Sequence, residues 1–449
     1  MIAPWFVAVS LAAELTLGEV LVSTRDHHPL VAAARARELG ASAEVLVARG
    51  AFDPVAKAKL SGTQDGDYDW LAMESRVDVP TSIWGTSVGG GWRLGTGEFA
   101  SYDKALETSE GGEAFVGVDV PLLRDGWTDR RRTNLAKSTL EVDLVGAEAD
   151  QRALELMRLA GWRFWEWVAA GQRVRLAARL LELAQERDRQ LVSQVAAGLV
   201  PDIVRIDNER LVFERLDRQV QARRAFELAS IDLSLYLRDS EGERRTPTLA
   251  DLPPLPSPSA EGLPSPEAAA ERAMRDRPEL ARLTAQREQI ARDRRLATNQ
   301  LLPGVWLEGD LYAPMAGGEP SGKAGVSVDL AVPLRAARGR LRAVDAATAR
   351  NEADTTFARQ RIEADLADAQ SALRAAAERV GYARSLVGVA EKVETAERRR
   401  FELGDGNLIF VNQREVATFE ARMIEMDALA AWQRAAVDLS YAMGALGAP

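Results

Sequence analysis

The chain has no cysteine and only two histidines, His27 and His28, among its 449 residues. That excludes disulfides, cysteine-rich zinc sites, thiol catalysis and a lipid anchor on an N-terminal cysteine. A histidine base would have to come from an adjacent pair followed at once by Pro29, a setting that reads as a helix start or loop. A basic excess is also lacking. The 57 Lys and Arg stand against 67 Asp and Glu, for a net charge of −10, so no nucleic-acid partner is expected. No run of 18 apolar residues offers an ordinary transmembrane helix. Neither a Walker loop nor metal-spaced histidines occur, and Gly89-Gly90-Gly91 lies in a strand-like run rather than before a helix. The reading is therefore a non-enzyme with no cofactor and no metal.

What is present is 46% apolar and 28% charged, enough to bury a core. The length suits about three ordinary domains or one large elongated one. Residues 1–13 are apolar except for Ser10 and read as a signal segment, with Ser10-Leu11-Ala12 as a small-x-small site. The basic leading region is missing, so that signal is incomplete.

An internal duplication stands out. Pro29 and Pro278 are 249 positions apart, as are Pro54 and Pro303. Further on, Gly198 and Gly404, Ile203 and Ile409, and Glu209 and Glu415 all share an offset of 206, as do Ile231-Asp232-Leu233-Ser234 and Val437-Asp438-Leu439-Ser440. This divides the chain into repeat 1, residues 14–245, and repeat 2, residues 267–449. In repeat 1 a strand block covers 51–122 and helical rods cover 123–237. In repeat 2 the strand block is 301–335 and the rods are 336–445. Residues 246–266 hold seven prolines and read as an extended connector rather than a packed element.

Each repeat opens with a helical stretch, Leu17 to Gly50 and Glu267 to Leu301. Strands follow in which apolar residues take every second place: Val116, Val118 and Val120 around Gly117 and Asp119, and Val326, Val328 and Leu330 around Ser327 and Asp329. This period marks half-buried strands, of a sandwich or of a barrel with lipid outside and water inside. The first block is longer than the second and has room for an extra hairpin around Tyr68 to Gly95, followed by a Gly-rich loop from Thr96 to Glu113. Two proline-free rods come next; about 70 residues would span roughly 105 Å if unbroken. Ile362, Leu366, Ala369, Leu373, Ala376, Val380, Ala383, Val387 and Ala390 follow steps of four and three, a coiled-coil seam. Val416, Phe419, Met423, Met426 and Ala430 suggest a second one. Trp162, Phe164, Trp165 and Trp167 read as packing, and Trp127 as a membrane-belt candidate.

Taken together, Leu15-Thr16-Leu17-Gly18-Glu19-Val20 with Pro29, Val118-Asp119-Val120-Pro121-Leu122-Leu123, and Arg400-Phe401-Glu402-Leu403-Gly404-Asp405 with its partner Ala197-Gly198-Leu199-Val200 resemble the TolC-like outer-membrane factor family. The resemblance covers nearly the whole chain. It implies an α+β membrane protein in which three chains build one transmembrane β-barrel of the 12-strand type, continued by a long periplasmic α-helical coiled-coil barrel. It also implies an efflux or type I secretion channel in the outer membrane, surrounded by lipid and served by a periplasmic adaptor and an inner-membrane transporter. On the physics alone, four spanning strands per chain could not close a barrel, since the smallest hold about eight.

The resemblance also assigns sites. The turns Gly198-Leu199 and Gly404-Asp405 would dock the adaptor. Relatives often carry acidic residues six and nine positions after the second turn glycine, at the closed tip. Here Phe410 and Gln413 stand there, with Val204 and Asp207 in the first repeat. Only Asp207 is acidic, so the gate is expected to close by packing more than by charge, although Phe410 could equally be seam packing. The alternative reading of the whole chain is a soluble coiled-coil scaffold with a small β-domain.

Overall fold

The structure, a computed structural model, describes residues 14–64, 66, 68–239, 241–259 and 264–446. The signal-like segment 1–13 lies outside the described residues. Eight helices and six strands are described: α1 (Leu17–His27), α2 (Pro29–Gly50), β1 (Val55–Thr63), β2 (Trp70–Pro80), β3 (Ser87–Gly97), β4 (Glu113–Pro121), α3 (Arg130–Ala196), α4 (Asp202–Leu233), α5 (Pro266–Asp276), α6 (Pro278–Asn299), β5 (Gly304–Pro314), β6 (Ser321–Asp329), α7 (Arg335–Glu402) and α8 (Leu408–Ala442). Among the described residues, no helix is long and apolar enough to cross a membrane.

Both opening helical stretches are broken where the sequence suggested continuous helices. His28 and Arg277 are extended, at φ −72°, ψ 129° and φ −74°, ψ 120°. Each precedes a proline, which disfavours the helical region for the residue before it. The same proline then serves as the first residue of the next helix, where a missing N–H is harmless. Both break residues are buried. His28 stacks on Tyr236 at 5.6 Å and accepts a 3.2 Å hydrogen bond from the Leu30 N–H. Arg277 pairs with Glu279 at 2.7 Å and lies over the Tyr441 ring at 4.8 Å.

The chain divides into two compact units. One comprises residues 36–147 and 281–357 and holds the sheet, a single antiparallel meander in the order β1-β2-β3-β4-β5-β6. The hairpin expected around Tyr68 to Gly95 is β2 and most of β3. Among the described residues the sheet has six strands, two more than the four per chain that a 12-strand closure by three chains requires. Flanking helical segments are tied by Lys137–Asp293 at 2.7 Å and by Asn351 donating to the Leu283 carbonyl at 3.3 Å.

The other unit comprises the described residues up to Arg35, with 148–280 and 358–446. Its largest core joins Val20 and Leu21 of α1, Leu154, Phe164, Trp167 and Val168 of α3, Phe226 and Leu233 of α4, and Val437 of α8. Each large apolar side chain buried there contributes about 1.5–3 kcal/mol. The Trp167 indole is satisfied by Ser230 at 3.1 Å, so the aromatic cluster is packing, as read. A second core is the α7 seam. Leu366, Ala369, Leu373, Ala376, Val380 and Ala383 meet Ala428, Leu429, Trp432 and Leu439 of α8 and Ala269 of α5.

The connector, as far as it is described up to residue 259, is seated rather than unpacked as the sequence suggested. Leu252 is buried in the larger core, Gln172 donates to the Pro253 carbonyl at 3.0 Å, and Arg384 donates to Ser257 at 2.7 Å. Its prolines fix an extended path, and the leucine and carbonyls between them supply the contacts.

Candidate functional site: a two-faced sheet and two helical turns

Side chains alternate across a sheet, so the pairing register sorts every strand residue onto one of two faces. On the first face lie Leu60 of β1, Leu71, Met73, Val77 and Val79 of β2, and Val88, Trp92 and Leu94 of β3. Val116, Val118 and Val120 of β4, Val305, Leu307 and Leu311 of β5, and Val326 and Val328 of β6 continue it. The remaining positions of that face are Ala, Gly, Ser and Thr. No charge occurs on it, and most of its large residues are exposed; Val326 is 64% and Val328 68% exposed.

All charged residues of the strands are on the other face: Lys57, Lys59, Glu74, Arg76, Asp78, Arg93, Glu113, Asp119, Glu308, Asp310, Lys323 and Asp329. They pair across strands, with Lys57–Asp78 at 2.9 Å and Arg93–Glu113 at 2.7 Å, while Arg93 sits 4.4 Å over the Tyr312 ring. Such pairs add little energy on a wet surface but help to fix register.

The strands run 9 to 11 residues, the length needed to cross hydrocarbon. The sheet is also staggered. The row of paired residues that starts at Val55 passes through Asp78, Gly89, Gly117 and Asp310 to Lys323, six positions before β6 ends at Asp329. With a rise of about 3.3 Å per residue and strands about 4.8 Å apart, that stagger tilts the strands by roughly 40°, the tilt of a barrel wall.

Where β4 meets α3, exposed side chains gather. Trp127 is 76% exposed and meets Trp84 edge-on at 4.3 Å, while the Trp84 indole donates to the Pro121 carbonyl at 2.6 Å. Leu122 and Leu123 are also exposed. An exposed aromatic beside aliphatics at the end of a strand has the chemistry of an interfacial belt. At the opposite end of the strands, the loop 98–112 folds back over the charged face. Phe99 stacks on Trp70 at 5.4 Å, Arg93 donates to the Ala105 carbonyl at 3.2 Å, and Thr108 accepts from the Gly95 N–H at 3.0 Å. The Leu106 carbonyl occupies the space that a side chain at position 95 would fill.

In the other unit, the two turns are built alike. The Leu199 and Asp405 N–H groups reach back to the Gln194 and Arg400 carbonyls at 2.9 and 3.0 Å, and Gly198 and Gly404 donate to Val195 and Phe401. Both glycines have positive φ, 68° and 79°, which closes each helix in the Schellman arrangement. Val204 packs against a cluster of Leu191, Leu408 and Val411. Phe410 is half exposed and lies outside that cluster, and Gln413 is exposed. Asp207 pairs with Arg210 at 3.2 Å. Leu199 is 75% exposed, and Asp405 pairs loosely with Arg400 at 3.7 Å.

A buried ionic cluster near these turns was not legible in the sequence. The Glu415 carboxylate, 1% exposed, receives Arg215 at 3.0 Å, Arg187, and Arg398 at 3.3 Å; Arg187 also donates to Asn412 at 2.6 Å. Burial raises the Glu415 pKa, but hydrogen bonds and charge from Arg187 and Arg215 outweigh it and hold the carboxyl below its ordinary range. Among the described residues, no group of three or more acidic or histidine side chains is placed to hold a metal.

No family model and no curated protein matches the sequence. Solved structures do. The outer-membrane channel OprN superposes with a TM-score of 0.68 at 18% identity, over 96% of this chain and 91% of its own. CusC, described as a transmembrane channel, gives 0.68 at 11% identity over 99% and 94%. The Neisseria gonorrhoeae MtrE outer-membrane channel in its open state gives 0.68 at 16% identity over 96% and 89%. This is the TolC-like outer-membrane-factor fold. Within that fold, the uncharged sheet face and the twin helical turns are features of this chain's own residues.

Proposed function

We propose that this protein is the outer-membrane channel of a tripartite efflux or type I secretion system, working as a homotrimer. It would pass cargo from a periplasmic adaptor and inner-membrane transporter to the exterior, with the sheet in the outer membrane and the helices extending into the periplasm. The observation that carries this reading is the sheet, whose six strands keep every charge off one bare face. A soluble scaffold would gain nothing from exposing that face to water. The two-repeat plan is part of the proposal. Matching helix lengths support it: 11 and 11 residues for α1 and α5, 22 and 22 for α2 and α6, 67 and 68 for α3 and α7.

The turns at Gly198-Leu199 and Gly404-Asp405 are the proposed adaptor-docking points. A β-branched residue at positive φ is strained, so Gly404→Val is expected to reduce export while the chain still fractionates with the outer membrane. Normal export by that variant would count against docking at the turn.

Val204, Asp207, Phe410 and Gln413 are the proposed tip and gate. Exposed Phe410, repeated in three copies, would form a hydrophobic constriction, with Asp207 favouring cations. In a planar bilayer, Phe410→Ala is expected to raise the resting current and Asp207→Asn to lower cation selectivity. An unchanged current with a less stable trimer would make Phe410 a packing residue.

A further inference from the structure

If β3 to β6 are the four strands that a 12-strand closure by three chains would use, β1 and β2 are left over. Their features are those of the barrel wall. β1 and β2 are 9 and 11 residues long. Leu60, Leu71, Met73, Val77 and Val79 continue the uncharged face of β3 to β6 without a break in register. Lys57, Lys59, Glu74, Arg76 and Asp78 all point the other way. A hairpin lying in water has no reason to keep five charges off one face, whereas a strand in lipid must.

This places the open edges at β1 and β6. Among the described residues no pairing joins these two strands, so each carries a row of unpaired N–H and C=O groups. Such edges are not tolerated in hydrocarbon. Because the meander has an even number of strands, β1 and β6 run in opposite directions. The β6 edge of one copy can therefore pair antiparallel with the β1 edge of the next, and the ladder continues in one pattern around the ring.

We infer that β1, and not β3, is the strand that joins β6 of the neighbouring copy, so that three chains close an eighteen-stranded barrel. The copy number rests on the trimer proposed above; the joining strands do not. Barrel diameter grows about linearly with strand number, so this barrel is about one and a half times as wide as one of twelve strands, in the class that leaves an aqueous channel. The charged face then lines the lumen. The loop 98–112, folded over that face, sits inside the wide outer mouth and narrows it.

The absence of cysteine makes disulfide trapping a direct test, because introduced pairs are the only thiols present. With the helix-side ends of β1 and β6 level, Lys59 stands opposite Gly325, so Lys59→Cys is combined in turn with Lys323→Cys, Gly325→Cys and Ser327→Cys to scan register. The control is Ser87→Cys with Ser327→Cys, which joins β3 to β6. All variants are oxidised in outer membranes and resolved on denaturing gels. At least one β1–β6 pair is expected to give cross-linked dimers and trimers, while the β3–β6 control stays monomeric. Cross-linking of the control alone would establish a four-strand contribution and overturn the inference. So would a detergent-stable trimer in which no pair cross-links. A chain that is soluble and monomeric in every variant would instead overturn the channel reading itself.

Discussion

Val116→Arg is expected to keep the chain out of the outer membrane, whereas Ser327→Arg leaves it there. Val116 lies mid-strand on the uncharged face, between Gly90 and Leu311, and is half exposed. Arginine near the middle of the bilayer costs about 2–4 kcal/mol per copy on a lipid-facing position, and the assembly would carry three. Ser327 lies on the charged face and donates to Glu308 at 2.8 Å, so an arginine there gains an acidic neighbour. Fractionation, with heat-resistance of the proposed trimer on gels, reads the difference. Equal insertion of both variants would show that the bare face does not meet lipid.

The second large effect is expected at Glu415. Glu415→Ala removes the carboxylate that Arg215, itself 2% exposed on its side chain, depends on for charge balance. Breaking a buried pair from one side costs about 3–5 kcal/mol, because the remaining guanidinium is left desolvated. The Arg215 contact to the Leu180 carbonyl at 2.9 Å compensates only in part. Loosened helix ends, seen as faster proteolysis between α3 and α4, and a lower denaturation midpoint are the expected readouts. The pH dependence has a definite sign. The folded pKa of Glu415 is held below its ordinary value of 4.5. Its contribution is therefore fully present above that value and is lost as pH falls through the folded pKa. Glu415→Ala should flatten this acid limb of the stability profile; a limb identical to the wild type would mean that Glu415 is not responsible.

The same residue shows where sequence reading stopped. The α7 seam was legible because leucine, valine and alanine alternate at heptad spacing, and all its positions from Ile362 to Val387 are buried. On α8 the apolar pattern suggested Val416, Phe419, Met423, Met426 and Ala430, of which Ala430 is buried. Over its first half the buried stripe instead passes through Val411, Asn412, Glu415, Thr418 and Ala421, and the other four suggested residues flank it. Hydrophobic periodicity could not find a seam whose inward positions are polar, because their burial depends on arginines far away in sequence, Arg187 and Arg215. The strands were easier, since period two needs only neighbours along the chain. Their number was harder: β2 alternates as cleanly as β4, and only the register shows that both belong to one continuous face. The helix breaks at His28 and Arg277 were within reach, because each precedes a proline, but the amphipathic pattern on either side masked them. Of the proposed tip, the glycine turns were readable from sequence, while the exposure of Phe410 and the packing of Val204 depend on how three helices meet.

The central claim is that this chain builds a water-filled channel through a lipid bilayer. The most direct test is the ion current of the purified wild-type protein added to a planar bilayer. Discrete, long-lived current steps that rise linearly with voltage are expected, and Val116→Arg should abolish them. A correctly folded protein that remains soluble without detergent and leaves the bilayer current flat would contradict the account.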